Sequence, residues 1–423
     1  MRSARSHLFA LLTLAACACG GSGSTPSTGA PAAVDGGSVR PDAATPPEAA
    51  DGSLGAAEAS SPSSDGGFDG CAPSEEPATD GGCVAIAAAG GRALAMEIDP
   101  PSGLDYATEV GVASSIGVTA AAVTLPWSTL ETGAPVGGQS QIDTSLFADL
   151  ESVYGARPGF SLLISIPLVD TASIQAPPDL QPGLAAGTLA LDDPSVVSRY
   201  EKVVDALFAS LPGVKVPYLI VANEENLFLS GKPASMWTAL AGFFASIQAY
   251  VAGKQPGVIV GMNVSFAGLL DASEAAQITA LFSSSDDVFV SYYLGDNGFG
   301  QVSSTTVPAD LDTMTAFAGS RPLILKEFGY ATGTTGHTEA GQVAFITDLF
   351  EAWDTHAPRI PMVTISRMFD GDAADCASEA ESYGAAGNQD FIAFLCTLGV
   401  RTYADAPKPA WATLASAAAR RGF

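Results

Sequence analysis

The chain has 423 residues, with 45 Asp and Glu against 18 Lys and Arg and a formal net charge of −27. So acidic a surface repels phosphate backbones, which argues against nucleic acid as a partner and favours a neutral ligand. Three histidines, one of them at position 7, leave little material for a metal site.

The first stretch, MRSARSHLFALLTLAACACGG, has two early arginines, a short apolar run and small residues before a cysteine. That order predicts an export signal, too short to span a bilayer as a permanent helix. Leu14-Ala15-Ala16-Cys17 resembles a bacterial lipobox, which implies a signal peptide over 1–16, acylation of Cys17, and residence at the outer membrane or cell surface. An ordinary signal cut near Ala18 is the alternative. Over 17–84, Gly, Ser, Ala, Pro and Asp dominate and large apolar side chains are scarce. Such a stretch cannot bury enough surface to offset ordering entropy, so a disordered tether is expected. The Asp-Gly-Gly triplets at Asp35, Asp65 and Asp80 are irregularly spaced, which fits a solvated linker rather than a calcium site. In an oxidising compartment Cys71–Cys83 and Cys376–Cys396 are expected as local bridges, with Cys19 left over; other pairings stay open.

Residues 85–423 read as one folded domain. Eight β-rich apolar runs fall at 92–98, 118–127, 160–168, 217–224, 257–264, 287–294, 321–330 and 361–369. Helical patterns lie between them. In DDPSVVSRYEKVVDALFASL, Asp193 is placed to cap and Pro194 suits a first turn, and apolar residues then recur at helical spacing. PASMWTALAGFFASIQAYVAG and TEAGQVAFITDLFEAWDTH behave likewise. Near-continuous apolar strands suit a parallel sheet buried on both faces. Eight strand–helix units predict a closed (β/α)₈ barrel, a TIM barrel, of the α/β class. The rival is an open doubly wound sheet. It would carry a glycine-rich turn after its first strand, where MEIDPPSG stands instead.

In such a barrel the C-terminal strand ends form the active face. In strand order they present Glu97 and Asp99, then Trp127, Asp170, and the cluster Asn223, Glu224 and Glu225. Asn263, Tyr292 and Tyr293, Lys326 and Glu327, and finally Arg367, Phe369 and Asp370 follow. The mouth is rich in carboxylates and aromatics and lacks cysteine and histidine. No Gly-x-Ser-x-Gly elbow or phosphate loop appears, DGDAAD lacks the spacing of an EF-hand loop, and no cofactor is implied. Glu224 and Glu327 are the candidate pair for splitting a glycosidic bond, one carboxylic acid to protonate the leaving oxygen and one carboxylate to attack or to activate water. Alternation turns Glu224 and Glu225 in opposite directions, and it turns Lys326 away from the axis as a structural residue.

Asn-Glu closing the fourth strand and Glu closing the seventh resembles the signature of the clan A glycoside hydrolases, which are retaining (β/α)₈ barrels. VANEENLFL, VSYYLGDNGF, LKEFGYATG and TLGVRTYADAPKPAW look most like the endo-β-1,4-galactanase family and its uncharacterised relatives, over about 93–411. The resemblance implies Glu224 as acid/base, Glu327 as nucleophile, Asn223 on the sugar 2-hydroxyl, and Tyr292 or Tyr293 bonded to the nucleophile. The second strand ends without the clan's Arg and the eighth without its Trp, so Trp127 or Phe369 is expected as the sugar platform. Asn263 and Glu97 are further candidate substrate contacts. A monomeric enzyme acting on carbohydrate is implied; a tethered barrel that binds glycans without cutting them is the alternative of another class.

Overall fold

Each of the eight apolar runs forms one strand: β1 (Ala93–Glu97), β2 (Ala120–Thr124), β3 (Ser161–Ser165), β4 (Lys215–Asn223), β5 (Ile259–Ser265), β6 (Val288–Tyr293), β7 (Leu323–Gly329) and β8 (Met362–Ile365). The structure is a computed structural model that describes residues 75–77, 83–294 and 303–423. Neighbouring strands are parallel in the order β3-β2-β1-β8-β7-β6-β5-β4, and β3 pairs with β4 to close the ring. Eight principal helices follow the strands in turn: α1 (Tyr106–Ser114), α2 (Ser145–Tyr154), α3 (Pro194–Ser210), α4 (Ala234–Lys254), α5 (Ala275–Leu281), α6 (Val307–Ala318), α7 (Glu339–Thr355) and α8 (Pro409–Arg421). The fold is therefore a closed (β/α)₈ barrel.

Local chemistry accounts for the element ends. Asp193 accepts from the Ser195 amide at 2.8 Å and Pro194 opens α3, while Thr338 caps α7 through the Gly341 amide at 3.0 Å. β2 ends before Trp127 because Pro126 starts the short helix Trp127–Leu130. Two apolar layers result. The outer one lies between strands and helices. The inner one fills the barrel floor with Ala95, Leu163, Tyr218, Ile220, Phe289 and Ile324 among others. Gly261 on β5 makes room for the Phe289 ring, which a Cβ there would strike. Burial of each large side chain in these layers stabilises the fold by about 1.5–3 kcal/mol, and the polar site rests on that floor.

Residues Glu75–Pro77 and Cys83–Ala85 form a short antiparallel ladder at the C-terminal end of the 17–84 stretch. The expected signal peptide, Cys17, Cys19 and Cys71 lie outside the described residues. Cys376 and Cys396 are bonded, joining the helices Ala373–Ser382 and Gln389–Cys396 in the loop after β8.

Candidate active site

The two glutamates reach the mouth through irregularities in their strands. On β4 the register shifts between Ile220 and Ala222. Val221 and Ala222 both join the outer core, and Asn223 turns inward. Glu224 then leaves the strand in the left-handed region (φ 44°, ψ 39°) as the cap of the short helix Glu225–Leu229. A non-glycine residue held there costs about 1–3 kcal/mol. The kink puts Glu224 over the barrel mouth and sends Glu225 into the wall, where it is fully buried. On β7, Leu325 pairs with Val290 and Glu327 with Ser291, which leaves Lys326 as one extra residue. Such a bulge interrupts alternation, so Lys326 and Glu327 both enter the barrel. The expectation that Lys326 points away from the axis is thereby corrected.

An unbroken polar chain links the two carboxylates. Lys326 Nζ contacts Glu327 Oε1 and donates to Asn223 Oδ1 at 2.7 Å. Asn223 Oδ1 also accepts from Asn263 Nδ2 at 2.8 Å, and Asn223 Nδ2 donates to Asp170 Oδ1 at 2.9 Å. The Thr171 hydroxyl lies 3.1 Å from both Asp170 Oδ1 and Glu224 Oε2. On its other side Glu327 Oε2 accepts from the Tyr293 hydroxyl at 2.9 Å and the Ser291 hydroxyl at 3.0 Å. Gly329 permits this, because its missing side chain leaves space for the Tyr293 ring. A pocket beside Glu327 is lined by Glu97, Ala122, Thr124, Lys326, Glu327, Thr364 and Ser366.

Electrostatics tune the pair in opposite directions. Burial pushes the Glu327 carboxyl up, but the Lys326 ammonium and the hydrogen bonds from Lys326, Tyr293 and Ser291 outweigh it, and the group titrates below the ordinary range. Burial, then the negative Glu327, then Asp170 push Glu224 up to about 8. At neutral pH the site holds a carboxylate at Glu327 and a carboxylic acid at Glu224. Glu97 rises to about 7, mainly through burial and against the pull of Arg367. Burial also raises Asp170. Burial lowers Lys326 while Glu327, Asp170 and Glu97 raise it further, so it stays an ammonium.

Among the other expected contacts, the structure separates the neighbours Tyr292 and Tyr293. Tyr293 turns its hydroxyl to Glu327 and lies 3.2 Å from the Ser366 hydroxyl. Tyr292 lies in the outer core against Phe266 and Phe345 and donates to Asp310 Oδ2 at 2.6 Å, so a substrate contact there is ruled out. Trp127 is 0% exposed, donates to Glu131 Oε2 at 3.1 Å and packs edge-on against Tyr200; it offers no platform. Phe369, buried beside the Arg401 guanidinium, offers none either. Asn263 is fully buried, with its amide donors on Asn223 and Ser291, and supports the site from beneath. Asp370 is paired with Lys408 at 2.6 Å, and Arg367 with Glu379 at 2.7 Å. Sequence reasoning read Lys326 as structural and missed Thr171, Ser291 and Tyr383. Ser291 stands two residues before Tyr293 and so shares its face, a signal that was readable. Tyr383, half-buried at the end of the helix Ala373–Ser382 and edge-on to Phe391, is pushed up by burial and then by the charges of Asp170, Glu379, Glu224 and Glu327, which puts it within their electrostatic reach. Nothing in its loop sequence announces that.

No family model and no curated protein matches the chain. Solved structures do resemble it. GH5_18 from Bifidobacterium longum subsp. infantis aligns at 15% identity over 78% of this chain and 78% of its own, with a TM-score of 0.58. GH5_18 from Streptomyces cattleya, solved in complex with Manb1-4GlcNAc, aligns at 17% identity over 78% and 80%, with a TM-score of 0.55. A family 39 glycoside hydrolase from Bacteroides cellulosilyticus WH2 aligns at 14% identity over 79% and 65%, with a TM-score of 0.50. At these identities the likeness is one of fold, and this chain shares its (β/α)₈ barrel with those glycoside hydrolases.

Proposed function

We propose that the chain is a retaining glycoside hydrolase acting on β-linked oligo- or polysaccharide, with an endo preference. The observation that carries this reading is the placement of Glu224 and Glu327 at the ends of β4 and β7, linked by one polar chain through Lys326, Asn223, Asp170 and Thr171. Their surroundings tune the two carboxyls in opposite directions. In the first step a Glu327 oxygen attacks the anomeric carbon, the bond to the leaving oxygen breaks, and Glu224 gives that oxygen its proton. Once the ester neutralises Glu327, Glu224 loses the repulsion that raised it and stays ionised, ready to take a proton from water in the second step. Asn223 Nδ2 is positioned for the sugar 2-hydroxyl. Tyr293 holds the nucleophile, and Glu97 and Tyr383 are the remaining sugar contacts.

The neighbours lend support at the level of substrate class, since one was solved with Manb1-4GlcNAc. The galactanase-like sequence pattern adds β-galactan to the candidates. MRSARSHLFALLTLAAC supports export with a lipid anchor on Cys17 at the outer membrane or cell surface. A panel of β-linked glycans, assayed with wild type and Glu327→Ala, tests the reading. The expected result is hydrolysis that Glu327→Ala abolishes and azide restores with inverted product. Unchanged turnover in that variant ends the assignment, and binding without hydrolysis by wild type replaces it with a glycan-binding lipoprotein.

A further inference from the structure

We propose that Lys326 is the positioning residue of this site, a cation built into β7 that holds Glu327 in its attacking orientation and fixes which end of the Asn223 amide meets the sugar. The inference rests on the retaining reading above and assigns a role that neither the sequence pattern nor the fold supplies. Lys326 is 2% exposed. A buried ammonium is costly unless it is paired and hydrogen-bonded, and this one touches two groups of the proposed machinery and no solvent-facing acid. It lies inside the barrel only because the β7 bulge adds one residue, and bulges recur beside active sites because they re-aim a side chain in this way.

Two consequences follow from its chemistry. An ammonium donates and never accepts, so its 2.7 Å contact requires the Asn223 atom beside it to be the oxygen. With Asn263 Nδ2 on the same oxygen at 2.8 Å, both lone pairs of Oδ1 are occupied and Nδ2 is left on the Asp170 side, toward the mouth. The second consequence concerns Glu327. Its other partners, Tyr293 and Ser291, are neutral donors, and the charges around it are Lys326, Glu224, Glu97 and Asp170. Lys326 is the cation in contact with Glu327; Arg367 acts on Glu97 and is paired with Glu379. Without Lys326, only the neutral hydroxyls of Tyr293 and Ser291 oppose burial and the acids at Glu327.

The test is the pH dependence of kcat/KM for whichever glycan the full-length protein hydrolyses, in wild type, Lys326→Met and Lys326→Arg. The acidic limb reports the base of the free enzyme. An opposite charge in contact lowers a carboxyl pKa by about 1–3 units, so the limb should rise by about that much in Lys326→Met and stay low in Lys326→Arg, with KM raised in the Met variant. A Met variant that is folded and active with its acidic limb at the wild-type pH overturns the proposal. If Lys326→Met does not fold, the wild-type profile decides. A limb below 4.5, the ordinary glutamate value, supports the role, and a limb at or above it refutes it. A wild type inert on every glycan would count against the hydrolase reading instead, so the two failures are distinct.

Discussion

Tyr292 and Tyr293 show how much one step along a strand decides. The same phenol is a core strut at one position, donating to Asp310, and a donor to the attacking carboxylate at the next. A hydrogen bond to a carboxylate is worth about 1.5–3 kcal/mol, and both tyrosines make one. Tyr293→Phe should therefore lower kcat/KM by about 10- to 100-fold. Tyr292→Phe should leave kcat/KM in place and lower stability by about 1.5–3 kcal/mol; steady-state kinetics and urea unfolding on the two variants separate these outcomes. The pH profile belongs to this scale too. Glu224 must be protonated to give its proton away, so activity should fall as pH rises through about 8. Glu327 must be ionised, so the acidic fall should lie below the ordinary carboxylate range.

At the scale of elements, the eight strands were legible because each is a buried apolar run, and burial on both faces writes itself into composition. What was not legible is where those runs depart from regular pairing. The β4 and β7 bulges depend on how neighbouring strands meet, and a single strand's residues do not record that. Alternation accordingly misplaced Lys326, while for Glu224 and Glu225 it reached the right orientation although the separation comes from the left-handed turn at Glu224. The sugar platform failed for a related reason. Trp127 and Phe369 stand at strand ends in the sequence, yet a proline-led helix and the closing chain cover them. The ring proposed in their place is Tyr383, carried by the loop after β8. Its helices Ala373–Ser382 and Gln389–Cys396 are tied by Cys376–Cys396, a bridge the spacing did suggest, with a sequence separation of 20. Closing a loop of that size is worth about 3 kcal/mol. Replacing both cysteines with serine should lower stability in urea by about 2–4 kcal/mol and raise KM as Tyr383 loses its place. An unchanged KM would remove Tyr383 from the sugar contacts.

For the molecule as a whole, acidity sets the response to pH. Glu97 and Glu224 titrate near 7 and 8 when folded, above their usual 4.5. Between those values the folded chain binds more protons than the unfolded one, so stability falls as pH rises from about 5 to about 8. The net charge of −27 acts in the same direction, because self-repulsion grows as carboxyls ionise. The melting temperature should therefore be higher at pH 5 than at pH 8.5; a melting temperature that climbs across that range would contradict the raised carboxyl values. That polar arrangement matters for one reason above the rest, the covalent chemistry assigned to Glu327. Incubation with activated 2-deoxy-2-fluoro β-glycosides of the gluco, manno and galacto series, followed by digestion and mass spectrometry, measures it most directly. The account predicts a single glycosyl adduct on the peptide containing Glu327. An adduct on any other residue, or hydrolysis of the parent glycosides with inverted product and no adduct, would contradict it.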